Sequence, residues 1–139
     1  MLLATIERNG WELENGERRL AEAPENFSIP PASVRKNLAR GDLVKLIFHI
    51  QLDAGNDSEN EIERMWVVVT ELFGGGYIGR LDNDPDCMSD AAEPVLQCGA
   101  EVPFKSEHVI AKHNEPLSEE ELMQLLANPS PAPWKRYDA

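Results

Sequence analysis

No apolar run in the chain approaches the roughly 20 residues that a helix needs to cross a bilayer, and Met65 to Val69 is typical of the short stretches present. A helical membrane span is therefore not expected. The N-terminal Met1-Leu2-Leu3-Ala4-Thr5-Ile6-Glu7 has no basic start and meets a charge at once, which argues against a secretory signal and makes the cytoplasm the expected compartment. Cysteine is scarce. Cys87 and Cys98 stand 11 positions apart, a spacing that suits neither a C-x-x-C redox pair nor a paired zinc knuckle, so both are expected as free thiols. Basic residues are scarce in one part only: residues 1–52 hold seven acids and seven bases, while residues 53–139 hold 18 acids and six bases. The net charge of −12 thus belongs to the second part. Nucleic acid and anionic lipid are recognised through Lys and Arg, and neither is expected as a partner. An acidic face favours solubility and can also steer a basic protein toward it.

What is present fits one domain of 139 residues with a core of its own. Residues 1–26 read as an N-terminal hairpin or extension, with Asn9-Gly10 and Asn15-Gly16 as its turns, because Gly accepts positive φ. Residues 27–127 read as the domain proper, and residues 128–139 as a Pro-rich tail anchored by Trp134 and Tyr137. Leu20 to Pro31 reads as a surface connection, and Pro30-Pro31 opens a short helix that presents Val34 and Leu38 and stops at Gly41. Leu43 to Leu52 alternates apolar Val44, Leu46, Phe48, Ile50 and Leu52 with polar Lys45, His49 and Gln51, the period of a half-buried strand. Asp53 to Glu63, with five acids and no base, reads as a loop. Met65 to Thr70 is β-branched and apolar on both faces, as in a central strand.

Gly74-Gly75-Gly76 turns the chain into a partner strand, Tyr77 to Leu81, in which Gly79 leaves room for a close approach. Asp82-Asn83-Asp84-Pro85 ends that strand, residues 86–100 read as loop, and Glu101 to Lys105 reads as an edge strand because Pro103 cannot donate to a ladder. The S-x-x-E box of Ser118 and Glu121 starts a last helix with Leu122, Leu125 and Leu126 on one face, and Asn128-Pro129 stops it. Together these elements predict an α+β fold. Its sheet is small, antiparallel and strongly bent, or a partly open barrel, with short flanking helices.

Three ordered blocks, Gly41-Asp42-Leu43-Val44-Lys45-Leu46-Ile47-Phe48, Glu63-Arg64-Met65-Trp66-Val67-Val68-Val69-Thr70 and Gly79-Arg80-Leu81-Asp82-Asn83-Asp84-Pro85, resemble the bacterial YegJ-like family, a domain of unknown function. Glu101-Val102-Pro103-Phe104-Lys105 with Glu107-His108-Val109-Ile110 is similar to that family's closing strand and turn. The resemblance covers about residues 27–112 and implies a bacterial source and the strand reading. It implies no activity, substrate or catalytic residue.

Asp82, Asp84, Asp86, Asp90 and Glu93 fall at positions 1, 3, 5, 9 and 12 of an EF-hand-like count, which makes Asp82, Asp84 and Asp86 candidate metal ligands. Cys87 stands where the sharp turn needs Gly, Pro85 occupies position 4, and the preceding segment reads as strand. An Asx-Pro turn on an acidic surface is the stronger reading. His49, His108 and His113 share no common helical face, and no serine or threonine sits in a nucleophile elbow or beside a base. Gly74-Gly75-Gly76 lacks the Lys and helix of a phosphate loop. No catalytic residue and no cofactor is assigned. Met65, Trp66 and Tyr77 are expected close together across the hairpin, either as sheet packing or as a recognition patch.

The leading expectation is a non-enzymatic module that engages a basic protein through acidic loops, with Trp66, Tyr77, Asp82, Asn83 and Asp84 as candidate binding residues. The alternative is a divalent-metal-binding protein or enzyme built on the Asp82 and Asp84 carboxylates.

Overall fold

A computed structural model describes residues 1–52 and 60–136. In chain order its elements are α1 (Ile6–Asn9), β1 (Trp11–Leu13), α2 (Gly16–Glu22), α3 (Ala32–Arg35), β2 (Leu43–Gln51), β3 (Asn60–Phe73), β4 (Gly76–Leu81), β5 (Glu101–Phe104), β6 (Ala111–Lys112) and α4 (Glu119–Ala127). The sheet runs β1-β2-β3-β4-β5, every neighbouring pair antiparallel, and β6 joins β2 on the side that β1 also occupies. It curls into a half-barrel, so the fold is α+β with a strongly bent sheet.

The alternation expected along β2 is what builds the concave face. Val44, Leu46, Phe48 and Ile50 are fully buried there with Met65, Val67 and Val69 of β3, Tyr77 and Leu81 of β4, and Val102 and Phe104 of β5. Burying a side chain such as Phe48 contributes about 2–3 kcal/mol by removing apolar area from water. Leu52 lies past the end of β2 and is exposed. The outer face is partly covered as well, since Ile47, Val68 and Ile78 are buried. Arg80 of β4 reaches from that face to the C-terminus of α4, donating to Leu125 O at 3.1 Å and Asn128 O at 2.5 Å, where a cation also suits the helix dipole. The α4 capping box forms as expected, with Glu121 N donating to Ser118 Oγ at 3.1 Å and Ser118 N to Glu121 Oε1 at 3.0 Å.

Gly79 permits the closest strand contact. A Cβ at this position would fall 2.5 Å from Val67 Cγ1 and from Val68 O, next to the irregularity in the β3–β4 register between Val69 and Glu71. Pro103 lies in β5 at the sheet margin, as its missing N–H requires.

The N-terminal hairpin does not form. Ile6–Asn9 is helical, because Thr5 Oγ1 accepts the N–H of Arg8 at 3.2 Å and caps α1, while Gly10, at φ 80°, ends it. Trp11–Leu13 pairs with β2 instead, setting Trp11 opposite Ile50. Asn15-Gly16 is not a hairpin turn either: Asn15 Oδ1 accepts the N–H of Arg18 at 3.0 Å and caps α2, which takes up the start of the expected surface connection. The helix after Pro31 ends at Arg35, well before Gly41, leaving Val34 exposed and Leu38 buried beyond it. Asn60 to Glu63, expected as loop, are the first residues of β3, and the remainder of that expected loop, residues 53–59, lies outside the described residues.

Candidate functional site

Asp82, Asn83 and Asp84 leave the C-terminal end of β4, and hydrogen bonds to the backbone hold them there. Asn83 Oδ1 accepts the N–H of Trp66 at 2.7 Å, and Trp66 O accepts the N–H of Asp82 at 2.9 Å, so the two residues finish the β3–β4 ladder after the strand has ended. Pro85 is buried, and a single 3-10 turn follows over Asp86–Met88. The Glu63 carboxylate accepts the N–H groups of Asp86 and Cys87, both at 3.0 Å, and Asp84 Oδ1 accepts that of Cys98 at 3.3 Å. Three side chains thus fix a loop that has little regular structure of its own. Cys87 and Met88 pack against the core beneath it.

The carboxylates of this loop face water without cations. Asp82, Asp84, Asp86, Asp90 and Glu93 are exposed, and among the described residues none has a Lys, Arg or His within ion-pair distance. Partial desolvation raises the pKa of Asp82 above the ordinary aspartate value. A cleft of about 370 Å³ opens beside them, with Pro85, Met88, Pro94 and Leu96 in its lining and Asp84 at its rim. An apolar shelf under carboxylates suits the aliphatic stem and cationic head of a lysine or arginine side chain.

Both cysteines are free thiols. Burial, and then the Glu63 carboxylate, push the Cys87 thiol up to about 12, so it stays protonated and a poor nucleophile at neutral pH. The Glu63 carboxyl itself is pushed up by burial, but the Cys87 thiol and the two backbone N–H groups outweigh this and hold it below the usual glutamate range.

The structure separates Trp66 from Tyr77. Trp66 lies half-buried on the outer face of β3, with Lys45 Nζ 4.8 Å above its ring and His113 edge-on at 5.9 Å. Tyr77 is buried on the concave face, stacked on Phe104 at 5.2 Å, and its hydroxyl donates to Arg35 O at 2.9 Å and accepts from Leu38 N at 3.3 Å. The expected cluster of Met65, Trp66 and Tyr77 does not form, because neighbouring strand residues project to opposite faces and Tyr77 pairs with Leu72, not Trp66. Tyr77 is a core residue that ties β4 to the segment after α3.

Two further polar clusters are not apparent from local sequence. At the β1–β2 corner Glu14 accepts from Arg19, with Nη2 to Oε1 at 2.9 Å, and from His49 Nε2 at 2.7 Å. The hydrogen bond from Arg19, with the smaller contribution of His49, holds the Glu14 carboxyl below its usual range. A groove of about 360 Å³ passes this corner, and Asn15, Arg18 and Glu107 border it. His108 is buried next to it. Its Nδ1 accepts the N–H of Lys105 at 2.9 Å, and burial lowers its pKa. The second cluster anchors the tail: Arg136 pairs with Glu101 at 2.8 Å and Glu71 at 2.9 Å, and Trp134 Nε1 donates to Leu2 O at 3.0 Å while its ring meets Trp11 at 6.0 Å. Tyr137, the other expected tail anchor, lies outside the described residues.

Among the described residues no group of three or more His, Cys, Asp or Glu side chains is arranged to hold a metal ion. The EF-hand-like spacing of Asp82, Asp84 and Asp86 therefore does not become convergence in space. Asp84 turns to Cys98 N, and Asp86 opens the 3-10 turn. No described helix is long and apolar enough to cross a membrane. No protein-family model, curated protein or solved structure matches the chain.

Proposed function

We propose that this chain is a binding module of the cytoplasm that engages a basic protein through the acidic end of its sheet. The observation that carries the reading is the pairing pattern of its carboxylates. Asp82, Asp84, Asp86, Asp90 and Glu93 have no cation partner among the described residues, although the loop that bears them is fixed by Glu63, Asn83 and Asp84. Unpaired carboxylates on one loop set up a negative field, and an incoming Lys or Arg is attracted to it and gains charge-assisted hydrogen bonds. The loop loses little conformational entropy on binding because it is already anchored. Asp84 supplies the rim, the cleft over Met88 and Leu96 takes the side-chain stem, Asp82 and Asn83 precede it in the chain, and Trp66 adds a half-exposed ring on the neighbouring strand.

The test compares the natural chain with an Asp82→Asn, Asp84→Asn, Asp86→Asn variant as baits in a lysate. The comparison is made at low salt and at about 0.5 M, where the Debye length falls to roughly 4 Å. The expected result is a basic protein retained by the natural chain at low salt only, and not by the variant. Equal retention by both baits would refute the reading.

A further inference from the structure

β3 is 14 residues long and β4 is six, so the two strands cannot cover each other. The register of β3 with β4 starts at Val67, opposite Leu81, and Asp82 and Asn83 extend it only to Trp66. From Asn60 to Met65, β3 is paired on its β2 side alone. The direction of the backbone groups follows from the ladder. Gln51 N donates to Gly10 O and Glu14 N to Ile47 O, so odd-numbered residues of β2 turn their groups to β1 and even-numbered ones to β3. The pairs Phe48–Glu63 and Ile50–Glu61 are therefore the hydrogen-bonded ones, and the residues between them, Ile62 and Arg64, turn N–H and C=O away from β2. Trp66, two positions on, does the same toward Asn83 and Asp82. Among the described residues, no main-chain or side-chain group bonds the outward N–H or C=O of Ile62 or Arg64.

We propose that this open edge of β3, around Ile62 and Arg64, is where a partner docks, by adding an extended basic segment of its own chain as a further strand. The proposal rests on the reading of the acidic end as the binding surface and names the mode of recognition there. Strand addition supplies main-chain hydrogen bonds, and the flanking side chains select the partner.

Charge selects a basic strand and excludes a second copy. An antiparallel copy centred on Ile62 would set Glu61 of each chain against Glu63 of the other, an unfavourable like-charge pairing. A lysine-bearing strand in the same place meets Glu61 across the pair. It also runs toward Asp82 and Asp84, where β4 would otherwise have continued. Charged residues on an edge also prevent indiscriminate pairing, so the edge stays open for a complementary chain.

The probe is a capped heptapeptide of alternating lysine and valine, titrated at low salt against the full chain and against I62P and I62A. Proline at 62 deletes an outward N–H that the β2 ladder does not use, whereas alanine trims the side chain and keeps the N–H. Proline is expected to weaken binding about tenfold or more, and alanine by no more than about twofold, as loss of a main-chain hydrogen bond and of its neighbour's geometry implies. Amide hydrogen exchange on the natural chain gives an independent readout should I62P fail to fold: bound peptide should slow exchange at Ile62 and Arg64. Peptide binding with no protection at these amides, or binding by folded I62P as tight as by the natural chain, overturns edge docking while leaving the acidic-end reading standing. No binding of the peptide to the natural chain at low salt overturns both.

Discussion

At the β1–β2 corner one carboxylate, Glu14, is shared by Arg19 and His49, and at the tail Glu101 is clamped by Arg136. At the C-terminal end of β4, Asp82, Asp84 and Asp86 meet no cation at all among the described residues. The two regions hold the same functional group, and its surroundings differ in one respect: Glu14 and Glu101 close contacts between segments distant in sequence, while the aspartates stand on a loop that other groups already hold. The carboxylates of the chain therefore fall into different settings, some held by a cation and some not. Cations engage the carboxylates at the corner and the tail, and among the described residues none engages Asp82, Asp84 or Asp86 at the end of β4. That distribution predicts that neutralising a carboxylate costs stability in one region and binding in the other.

The largest expected loss comes from Glu101→Ala. Glu101 is buried, and its removal takes from Arg136 one of its two carboxylate partners and strands the N–H of Trp134, which donates to Glu101 Oε1 at 2.7 Å. We expect a loss of about 2–3 kcal/mol in urea unfolding, below the full value for a buried pair because Arg136 keeps contact with water. Tyr77→Phe comes next, at about 1 kcal/mol, since the buried hydroxyl bridges Arg35 O and Leu38 N.

Acid should act on the paired region in two windows. Burial lowers the pKa of His108, so the unfolded chain takes up its proton first, and stability declines as pH falls below the ordinary histidine value of about 6.5. Burial works to raise the Glu101 pKa, but Arg136 and the Trp134 N–H outweigh it. The lowered value means that its contribution is complete above the ordinary glutamate value of about 4.3 and is lost as pH falls through the folded value. A pH series of urea midpoints should decline in both windows, and H108N should remove the upper decline alone. The smallest effect on stability is that of Asp82→Asn, Asp84→Asn, Asp86→Asn, within about 0.5 kcal/mol of the natural chain. Asparagine keeps the Oδ1 that accepts Cys98 N, and relief of repulsion acts in the stabilising direction.

Much of the frame was legible in the sequence because it rests on local rules. Strict alternation marked β2, the Ser118–Glu121 box marked α4, Pro103 marked an edge strand, and Gly79 marked a close approach. The N-terminal segment misled because Asn-Gly serves a helix end as readily as a hairpin. Only the contact of Thr5 Oγ1 with Arg8 N, and of Asn15 Oδ1 with Arg18 N, decides between them. The acidic loop was visible as composition, but its anchoring by Glu63, 23 positions from Asp86, was not. The Glu14–His49 and Glu101–Arg136 contacts, 35 residues apart in each case, depend on strand register and on the course of the tail, which no local pattern encodes. The open edge of β3 was hidden for a related reason. It arises from the unequal lengths of two strands, and residues 60–63 read as loop until β2 is paired with them.

The most direct measurement is the affinity for the lysine–valine peptide as a function of salt, taken on the natural chain and on the Asp82→Asn, Asp84→Asn, Asp86→Asn variant under conditions where both are folded. If the unpaired aspartates are the binding surface, affinity for the natural chain falls by about tenfold or more as the Debye length contracts from about 10 Å at 0.1 M to roughly 4 Å at 0.5 M. The variant should then bind weakly at every salt concentration, with a much shallower dependence. Equal affinities and equal salt dependence for the two proteins would contradict the division of the carboxylates into structural and binding sets.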